Sequence, residues 1–592
     1  MSDVKLRIDD TEVSVPAEST ILDAAKKARV KIPTLCHLEG VQAIGACRVC
    51  LVEVEGARTL LPSCVTPVRE GMQVWTRTRR VRNARRTVVE LLLSDHDGDC
   101  QTCERNDDCE LQALARELGI RELRYTGETS RRIVDRSTPA LVRDTAKCIL
   151  CRRCVAACCE VQGVGALFPQ GRGFSSVIGP AFCADLDSVA CVQCGQCAAV
   201  CPVGAISELD QIDEVWSLLD DPEKHVVVQT APAIRAALGE CFGYPPGTLV
   251  TGKMVAALRR LGFDAVFDTN FAADLTIMEE GSELLARLKK ALVDEQKVAL
   301  PQFTSCSPGW IKYAEYFYPD LLANISTCKS PQQMFGAVAK TYYADKLGKR
   351  PEDIAVVSIM PCTAKKFEAQ RAEMNDSGVR DVDVVLTTRE LGRMIRQSGV
   401  DFRSLPDEEM DAPLGLSTGA ADIFANTGGV MEAALRTVYE IVTGRPLPFD
   451  NLHIEPIAGL EGVKEAALTL ESCKPEWSFL EGVEVKVAVA HGLTNARKIL
   501  DKVRAGESDH HFIEIMTCPG GCIGGGGQPR MTDDAVRAAR IKAIYLEDEG
   551  KKLRKSHENP DLQKLYADFL GEPLGEKSHK LLHTHYEERA RV

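Results

Sequence analysis

The sequence predicts a multidomain chain in which small cysteine-rich α+β modules precede one large α/β domain. Its 592 residues correspond to about three to five domains at roughly 100–200 residues each. Of its 24 cysteines, 17 lie between Cys36 and Cys201. After about residue 209, short apolar strands alternate with amphipathic helices. We therefore expect five segments: 1–79, 80–137, 138–208, 209–545 and 546–592.

Composition narrows the class of protein. No apolar run approaches the roughly 18 residues needed to span a bilayer, and residues 1–10 are charged without a signal-peptide core. We therefore expect a cytoplasmic protein without a membrane span. In that reducing compartment dense cysteine indicates metal or redox chemistry rather than disulfides. The net charge of −13 argues against a nucleic-acid partner.

The first segment combines a hairpin, a helix and a cysteine loop. Apolar residues alternate along 4–15 about an Asp9-Asp10 turn, and Thr20 with Asp23 forms a capping-box helix start. Four cysteines at C-x10-C-x2-C-x13-C spacing follow: Cys36, Cys47, Cys50 and Cys64. This order favours a β-grasp ferredoxin with a 2Fe–2S cluster, and tetrahedral zinc is the alternative.

The second segment contains a ligand set of one histidine and three cysteines. Its members, at H-x3-C-x2-C-x5-C spacing, are His96, Cys100, Cys103 and Cys109. We favour a 4Fe–4S cluster with one imidazole ligand, because redox modules flank the segment on both sides. The alternative is a surface histidine beside a structural zinc site.

The third segment carries one motif twice, and this is the strongest local signal in the chain. Each run reads C-x2-C-x2-C-x3-C, which is typical of a ferredoxin with two 4Fe–4S clusters. In that arrangement the fourth cysteine of each run binds the other cluster. One cluster is then expected on Cys148, Cys151, Cys154 and Cys201. Its neighbour is expected on Cys191, Cys194, Cys197 and Cys158.

The large α/β segment holds cysteines in three distant loops. Its α/β character is predicted from strands at 226–229 and 354–360 and from a helix at 254–261. The loops span 304–310, 360–368 and 516–529, and the third contains a glycine tract without the Lys-Ser/Thr of a phosphate loop. From these residues alone, we expect one buried metal site built from three loops.

The three loops read TSCSPGW, MPCTAKKFE and MTCPGGCIGGGGQP. By these motifs the chain resembles the FeFe-hydrogenases, and the resemblance covers essentially its whole length. The resemblance implies an H-cluster, in which a 4Fe–4S cube joins a two-iron unit with carbonyl, cyanide and azadithiolate ligands. It implies that Cys362, Cys518 and Cys522 hold the cube and that Cys522 also bridges to the two-iron unit. The implied pocket residues are Lys365, Pro232, Gln332, Met360 and Met516.

The resemblance also implies a proton path. From the surface inward it contains Arg287, Glu283, Ser326, Glu280 and, after a water, Cys306. The residues agree with this assignment, because Glu280 and Glu283 share one helix face and carboxyl and hydroxyl groups relay protons. The alternative from the residues alone is a solvated acidic helix start.

One position departs from the family pattern. The family has two adjacent cysteines in the first loop, the second of which is a cube ligand, and this chain has Ser307 there. Ser307 could bind iron as an alkoxide, Cys306 could replace it and lose its relay role, or the cube could be weakened. We favour the first and third outcomes. Five cysteines keep no assigned role: Cys159, Cys183, Cys241, Cys328 and Cys473.

The last segment resembles the small subunit of dimeric FeFe-hydrogenases, fused here to the large domain. Its histidines, His579, His583 and His585, could bind a metal, but we favour a surface segment that wraps the domain.

The preferred function is that of an FeFe-hydrogenase catalytic subunit, which interconverts protons, electrons and H2. The N-terminal modules resemble the large electron-transfer subunit of complex I. This implies an NAD(P)-binding flavoprotein and a thioredoxin-like 2Fe–2S subunit as partners, with ferredoxin as a further partner of an electron-bifurcating complex. The alternatives are an electron-transfer subunit of a formate dehydrogenase or complex I-like assembly, and an H2 sensor.

Overall fold

The structure is a computed structural model that describes residues 3–530 and 532–590. Its first module is a five-stranded sheet with one short helix, Ile21–Lys27. The sheet order is Thr11–Pro16, Asp3–Ile8, Gln73–Trp75, Leu51–Val54 and Leu61–Pro62. The first two strands pair antiparallel, and the Thr20 and Asp23 side chains cap the helix reciprocally. The predicted hairpin and capping box are confirmed.

The second and third modules are small and contain little regular structure. Two helices, Arg79–Asp95 and Glu110–Glu117, flank the second cysteine set. The third module has short helices, Arg153–Ala156 and Gln196–Val200, directly within its two cysteine runs. Its strands are Val134–Asp135, Leu141–Asp144, Ile206–Glu208, Phe168–Gln170 and Val177–Gly179.

Two four-stranded sheets form the large domain. The first is wholly parallel, in the order Ala265–Asp268, His225–Thr230, Ile354–Met360 and Val384–Thr387. The second has the order Gln302–Phe303, Phe512–Met516, Glu484–His491 and Val463–Thr469, and only the last strand is antiparallel. All three cysteine loops leave the carboxyl ends of parallel strands, which is where open α/β sheets form their sites.

The predicted strands and helix of this domain are confirmed with small differences in length. The helix expected at 254–261 begins earlier, at Thr251, and ends at Leu261. The remaining longer helices are Ile212–Leu219, Thr269–Leu292, Pro308–Phe317, Pro331–Val338, Thr388–Gln397, Gly429–Thr443 and Leu493–Arg504. Shorter helices are Ala344–Leu347, Ala364–Glu368 and Gly419–Asp422.

The helix Thr269–Leu292 carries the acidic residues of the expected proton path. Glu279, Glu280 and Glu283 lie within this helix rather than at its start, and all three are buried. The alternative of a solvated acidic helix start is therefore wrong.

The helix Asp534–Gly550 crosses the expected boundary at residue 546, and the C-terminal segment continues with the helices Pro560–Leu565 and Glu576–Leu582. Its apolar side chains, such as Leu562 and Leu582, belong to the core around the first parallel sheet. His583 is buried as well, whereas His579 and His585 are exposed. One face of the segment completes the core and its other face is exposed, as in a segment that wraps the domain. Among residues 3–530 and 532–590, no helix combines the length and apolarity needed to cross a membrane.

The packing of the first sheet predicts a stability difference between two leucines. Leu258 is fully buried in the core, whereas Leu546 is 53% exposed. Leu258→Ala should lower the free energy of unfolding of the large domain by about 2–5 kcal/mol, because it removes transfer free energy and leaves a cavity. Urea-induced unfolding of both variants measures this. The free energy of unfolding of Leu546→Ala should stay within about 0.5 kcal/mol of that of wild type. Equal losses of unfolding free energy in both variants would contradict the burial of Leu258 in the core.

Candidate metal centres and catalytic site

The four cysteines of the first module converge in its buried loop. The Sγ atoms of Cys50 and Cys64 are 3.4 Å apart, and the backbone N–H of Cys47 donates to Cys36 Sγ at 3.5 Å. The Cys64 thiol lowers the pKa of Cys50 to about 6 by hydrogen bonding. Hydrogen bonding from the Cys47 thiol likewise lowers the pKa of Cys36. A buried set of thiols in which two are poised to ionise fits a thiolate-bound metal cluster.

The second cysteine set lies against the end of the third module. Cys109 Sγ is 3.7 Å from the carbonyl oxygen of Pro202, and a Cβ on Gly204 would meet Cys103 Sγ at 2.7 Å. Charge on Cys103 raises the pKa of both Cys100 and Cys109, although burial is the larger cause. The Nδ1 atom of His96 is buried without a hydrogen-bond partner among the described residues. Burial also lowers the pKa of His96 and favours the neutral, metal-binding imidazole.

The eight cysteines of the two motif runs in the third module line two separate cavities. The first cavity is lined by Cys148, Cys151, Cys154 and Cys201. The second is lined by Cys158, Cys191, Cys194 and Cys197. The fourth cysteine of each run thus lies with the first three of the other run, as the crossed arrangement requires. Burial raises the pKa of Cys148 to about 12 and that of Cys191 to about 11. Metal binding, which displaces the thiol proton, would relieve that cost.

The three catalytic loops bring their cysteines together. Cys362 follows the strand Ile354–Met360, and Cys518 and Cys522 follow Phe512–Met516. Burial raises the pKa of Cys522 to about 12, and charge on Cys362 adds to this effect. The pKa of Cys518 is likewise raised by burial and by charge on the other two thiols. The two loops also touch, because a Cβ on Gly525 would lie 2.2 Å from the oxygen of Pro361 and 3.0 Å from that of Cys522, so the three thiols are neighbours.

The glycine tract packs against backbone on two sides. A Cβ on Gly524 would lie 2.0 Å from the oxygen of Pro519, and one on Gly525 2.2 Å from the oxygen of Pro361. A Cβ on Gly526 would lie 2.2 Å from the oxygen of Cys194, in the third module. The glycines therefore allow the third loop to contact the second loop and the ferredoxin turn at once.

Polar side chains of the second loop surround the thiols. Lys365 Nζ donates to Glu368 Oε2 at 2.8 Å and to the carbonyl oxygen of Cys306 at 3.2 Å. Glu368 Oε2 also accepts from Gln332 Nε2 at 3.1 Å. Gln332 Oε1 is buried with no partner among the described residues, which fits a bound group beside it. Pro232, Met360 and Met516 are buried in the same domain.

Glu368 belongs to the second motif but was not among the predicted site residues. Its spacing of three from Lys365 on the helix Ala364–Glu368 was the available signal.

The residues of the expected proton path form a chain of contacts. An Arg287 guanidinium nitrogen lies 2.7 Å from Glu283 Oε1, and Ser326 Oγ donates to Glu283 Oε2 at 2.7 Å. Glu280 Oε1 accepts from the backbone N–H of Ser305 at 3.2 Å, and its Oε2 is buried without a partner among the described residues.

Glu280 is electrostatically coupled to both of its neighbours in this path. Burial raises the pKa of Glu280 to about 8, and the charge of Glu283 adds to the rise. Burial also raises the pKa of Cys306 well above its ordinary value, and the nearby carboxyl of Glu280 contributes. The described chain thus brings together Arg287, Glu283, Ser326, Glu280 and Cys306.

Ser307 lies beside the third loop. Its Oγ is 2.7 Å from Thr517 Oγ1 and accepts from the backbone N–H of Thr517 at 3.3 Å. Thr517 immediately precedes Cys518, so the hydroxyl of Ser307 is adjacent to the three-thiol group. The sequence patterns did not identify Thr517 as a partner of Ser307, because the contact joins positions 210 residues apart.

The fold and the grouped thiols define an iron–sulfur oxidoreductase with a multi-cluster electron path and a buried catalytic centre. Family models agree with this class. Residues 224–526 match the C-terminal domain of the iron only hydrogenase large subunit, and residues 534–589 match the iron hydrogenase small subunit. Residues 2–79 match a 2Fe–2S binding domain, 85–124 the NADH-ubiquinone oxidoreductase-G iron–sulfur binding region, and 147–205 a 4Fe–4S dicluster domain. The chain belongs to the FeFe-hydrogenase family and is a catalytic subunit of that family.

Relatives extend over the whole chain. It is 54% identical to the NADP-reducing hydrogenase subunit HndD of Solidesulfovibrio fructosivorans, over 100% of both chains. It is 39% identical to iron hydrogenase 1 of Clostridium pasteurianum, over 98% of this chain and 99% of that protein. Among solved structures, an apo [FeFe]-hydrogenase from Chlamydomonas reinhardtii is 47% identical with a TM-score of 0.58, and the match covers 64% of this chain and 99% of the other.

The contact at Gly526 predicts sensitivity to a single methyl group. Gly526→Ala should push the ferredoxin turn away from the third loop, because its Cβ would overlap the oxygen of Cys194. We expect a lower unfolding temperature and at least a tenfold loss of H2 evolution. Gly550→Ala is the matched control, since a Cβ there meets nothing within 4 Å. Thermal unfolding and dye-driven H2 evolution measure both, and a Gly526→Ala protein that behaves as wild type would contradict the tight contact.

Proposed function

We propose that this FeFe-hydrogenase catalytic subunit holds one 2Fe–2S cluster, three accessory 4Fe–4S clusters and an H-cluster. The accessory ligands are the grouped cysteines of the three N-terminal modules together with His96. The cube ligands are Cys362, Cys518 and Cys522. The observation that carries this proposal is the grouping of these three thiols near Cys306 and a row of buried acid and hydroxyl groups, in which Ser326 donates to Glu283 and Glu280 accepts from the backbone N–H of Ser305.

The protein moves protons to and from the catalytic centre. The bound H-cluster supplies the two-electron chemistry, and the side chains supply ligands, orientation and protons. Glu280, with a pKa of about 8, is protonated at neutral pH and can pass a proton toward Cys306. Ser326 and Glu283 re-supply it from the Arg287 end of the path. Lys365, held by Glu368, presents a cationic donor to the pocket formed with Pro232, Gln332, Met360 and Met516.

Electrons converge on the third module from two directions. Gln42 Nε2 donates to the carbonyl oxygen of Cys36 at 2.8 Å and to that of Cys151 at 3.1 Å, which joins the first module to the third. The second module also meets the third, because a guanidinium nitrogen of Arg105 donates to the carbonyl oxygen of Cys201 at 2.5 Å. Gln196 Nε2 then donates to the oxygen of Gly524 at 3.0 Å, in the third catalytic loop. These contacts support two electron-transfer routes, one from the first module and one from the second, that join in the third module before the catalytic centre.

The electron partner we propose is an NAD(P)-binding flavoprotein, assisted by a thioredoxin-like 2Fe–2S subunit, with ferredoxin as a second partner in the cytoplasm. The name of the HndD relative and the match of residues 85–124 support this assignment. Co-expression with such subunits should yield a complex that reduces NAD(P)+ with H2. The assignment would be contradicted if the chain were purified alone after co-expression with these subunits and did not reduce NAD+ or NADP+ with H2 when the subunits were added.

We also propose that Ser307 is the fourth protein ligand of the cube, through oxygen. Its hydroxyl is adjacent to the loop of Cys518, whereas charge on Glu280 acts on the Cys306 thiol, which supports a relay role for that cysteine. An oxygen donor is harder than a thiolate and binds iron–sulfur clusters less firmly.

The relay predicts a large effect of Glu280→Gln. This substitution keeps the shape of the side chain but removes its exchangeable acid, so H2 evolution should fall by about 10²-fold or more. Asp274→Asn is the matched control, because Asp274 is a buried carboxyl of the same helix whose partners Thr418 and Asn559 lie outside the relay. The control should keep activity within about twofold, and equal losses in both variants would contradict the relay.

The pH dependence of stability provides an independent measurement on Glu280→Gln. The folded pKa of Glu280, about 8, lies above its ordinary value of 4.5. As the pH rises from about 4.5 to about 8, the unfolded chain releases this proton while the folded protein retains it, so wild type loses stability relative to the variant. Unfolding temperatures measured at pH 5, 6.5 and 8 should diverge in favour of the variant as the pH rises.

The assignment of Ser307 predicts the effect of two substitutions on iron retention. Ser307→Cys supplies a fourth thiolate and should raise the iron content per chain and the infrared bands of carbonyl and cyanide after anaerobic reconstitution. Ser307→Ala removes the oxygen donor and should lower both. A Ser307→Ala protein with wild-type iron content would show that Ser307 is not a ligand.

A further inference from the structure

A mixed group of ligand-type side chains lies directly beside the proton path. Its members are Glu283, Cys328 and His583, and their potential ligand atoms all lie within 4.8 Å of one another. Cys328 Sγ is 4.0 Å from Glu283 Oε2. The three residues come from the helix Thr269–Leu292, from the segment before Pro331–Val338, and from the end of Glu576–Leu582.

We propose that Glu283, Cys328 and His583 form a binding site for a zinc-type divalent cation that closes the proton path. A carboxylate, a thiolate and an imidazole are ligands that zinc accepts together with one water. Zinc–ligand bonds of about 2.0–2.3 Å place neighbouring ligand atoms roughly 3.3–3.8 Å apart, so a contraction of about 1 Å or less completes the site. On binding, the Cys328 thiol releases its proton to solvent and its sulfur bonds to the cation.

His583 is already oriented by a second carboxylate, as zinc-binding histidines are. Its Nε2 lies 3.2 Å from Glu279 Oε2. Glu279 is itself fixed by Tyr566, which donates at 2.5 Å, and by Ser578, which donates at 2.6 Å. The nitrogen left for a cation is Nδ1, which now lies 2.8 Å from Thr327 Oγ1. The Thr327 hydroxyl has to rotate aside when the cation binds.

The backbone fixes the relative position of two of the ligands. Cys328 and His583 form an antiparallel bridge pair. The backbone N–H of Thr584 donates to the oxygen of Thr327 at 2.7 Å, and that of Lys329 donates to the oxygen of Leu582 at 2.8 Å. The site is therefore held by rigid main-chain pairing on both sides of the cysteine and the histidine.

Local charge and access both favour a cation. The carboxyls of Glu279, Glu280 and Glu283 surround the Cys328 thiol and, together with burial, raise its pKa. Arg287 opposes a cation, but it contacts Oε1 of Glu283 and leaves Oε2 facing Cys328. The side chains of Arg287 and Glu283 keep 14% and 12% exposure, so the outer end of the path is where an ion can approach the site.

Occupation of the site would interrupt the relay. Ser326 Oγ donates to Glu283 Oε2 at 2.7 Å, and this is the oxygen that a cation would take. Inhibition rests on the proposed relay, whereas binding of the cation does not.

The test is titration of the reconstituted holoenzyme with zinc chloride. We expect dye-driven H2 evolution to fall at least tenfold at saturating zinc and to recover with EDTA. Zinc-edge X-ray absorption should show one sulfur and about three nitrogen or oxygen ligands. In Cys328→Ala, and in Cys328→Ser if the first variant folds poorly, the sulfur ligand should vanish and inhibition should need at least tenfold more zinc.

Two control variants test alternative zinc sites. Cys473→Ala removes a partly exposed thiol elsewhere, and His557→Gln disrupts the separate group formed with Glu440 and Glu558. Both should behave as wild type. A wild-type zinc spectrum without sulfur, or a sulfur signal unchanged in the Cys328 variants, would overturn the site. Sulfur-ligated zinc that is lost in those variants but leaves H2 evolution intact would support the site and overturn the relay.

Discussion

The catalytic domain depends on one steric constraint, which is that the backbone of residues 524–527 has no room for side chains. Each of Gly524, Gly525 and Gly526 would place a Cβ within 2.2 Å of a carbonyl oxygen. Those oxygens belong to the third loop itself, to the second loop and to the ferredoxin turn of Cys194. One stretch of chain therefore sets the spacing of the three catalytic thiols and their distance from the accessory module. The same contact therefore joins the ferredoxin turn to both loops that carry the catalytic thiols.

Different hydrogen-bond environments shift the pKa values of two adjacent buried carboxyls on one helix in opposite directions. The carboxylate of Glu279 accepts from Tyr566, Ser578, His583 and the backbone of Leu574, and these bonds outweigh burial and lower its pKa. Glu280 faces the other way, has few donors and is close to Glu283, so its pKa rises to about 8. Neighbouring groups whose environments separate their pKa values can take different roles. Glu279 anchors the C-terminal segment, whereas Glu280 can exchange protons near neutral pH.

The predictability of these features follows from the range of the interactions involved. Cysteine spacing identified the two ferredoxin groups, because a C-x2-C-x2-C turn determines its own local geometry and the crossed fourth ligand follows from the repeated motif. Strand 354–360 and the Thr20 cap were likewise local. The Thr517 partner of Ser307, the Gln42 bridge between modules and the burial of His583 were not predicted. Each depends on residues that are distant in sequence and that meet only after the sheets are packed. The helical position of Glu280 was predicted from its spacing, but its raised pKa depends on that tertiary burial.

The C-terminal segment holds the residues of the proposed proton path in place, and a separate chain could do this only by binding. It pairs main chain to main chain with the segment of Ser326 and Cys328, and the Tyr586 hydroxyl donates to the oxygen of Ser326 at 2.7 Å. When two binding elements share one chain, their association is intramolecular and is governed by an effective concentration instead of the bulk concentration of a second chain. In this chain the pairing of the C-terminal segment with residues 326–328 therefore does not depend on protein concentration. Covalent attachment thus favours the arrangement in which Ser326 Oγ lies 2.7 Å from Glu283 Oε2.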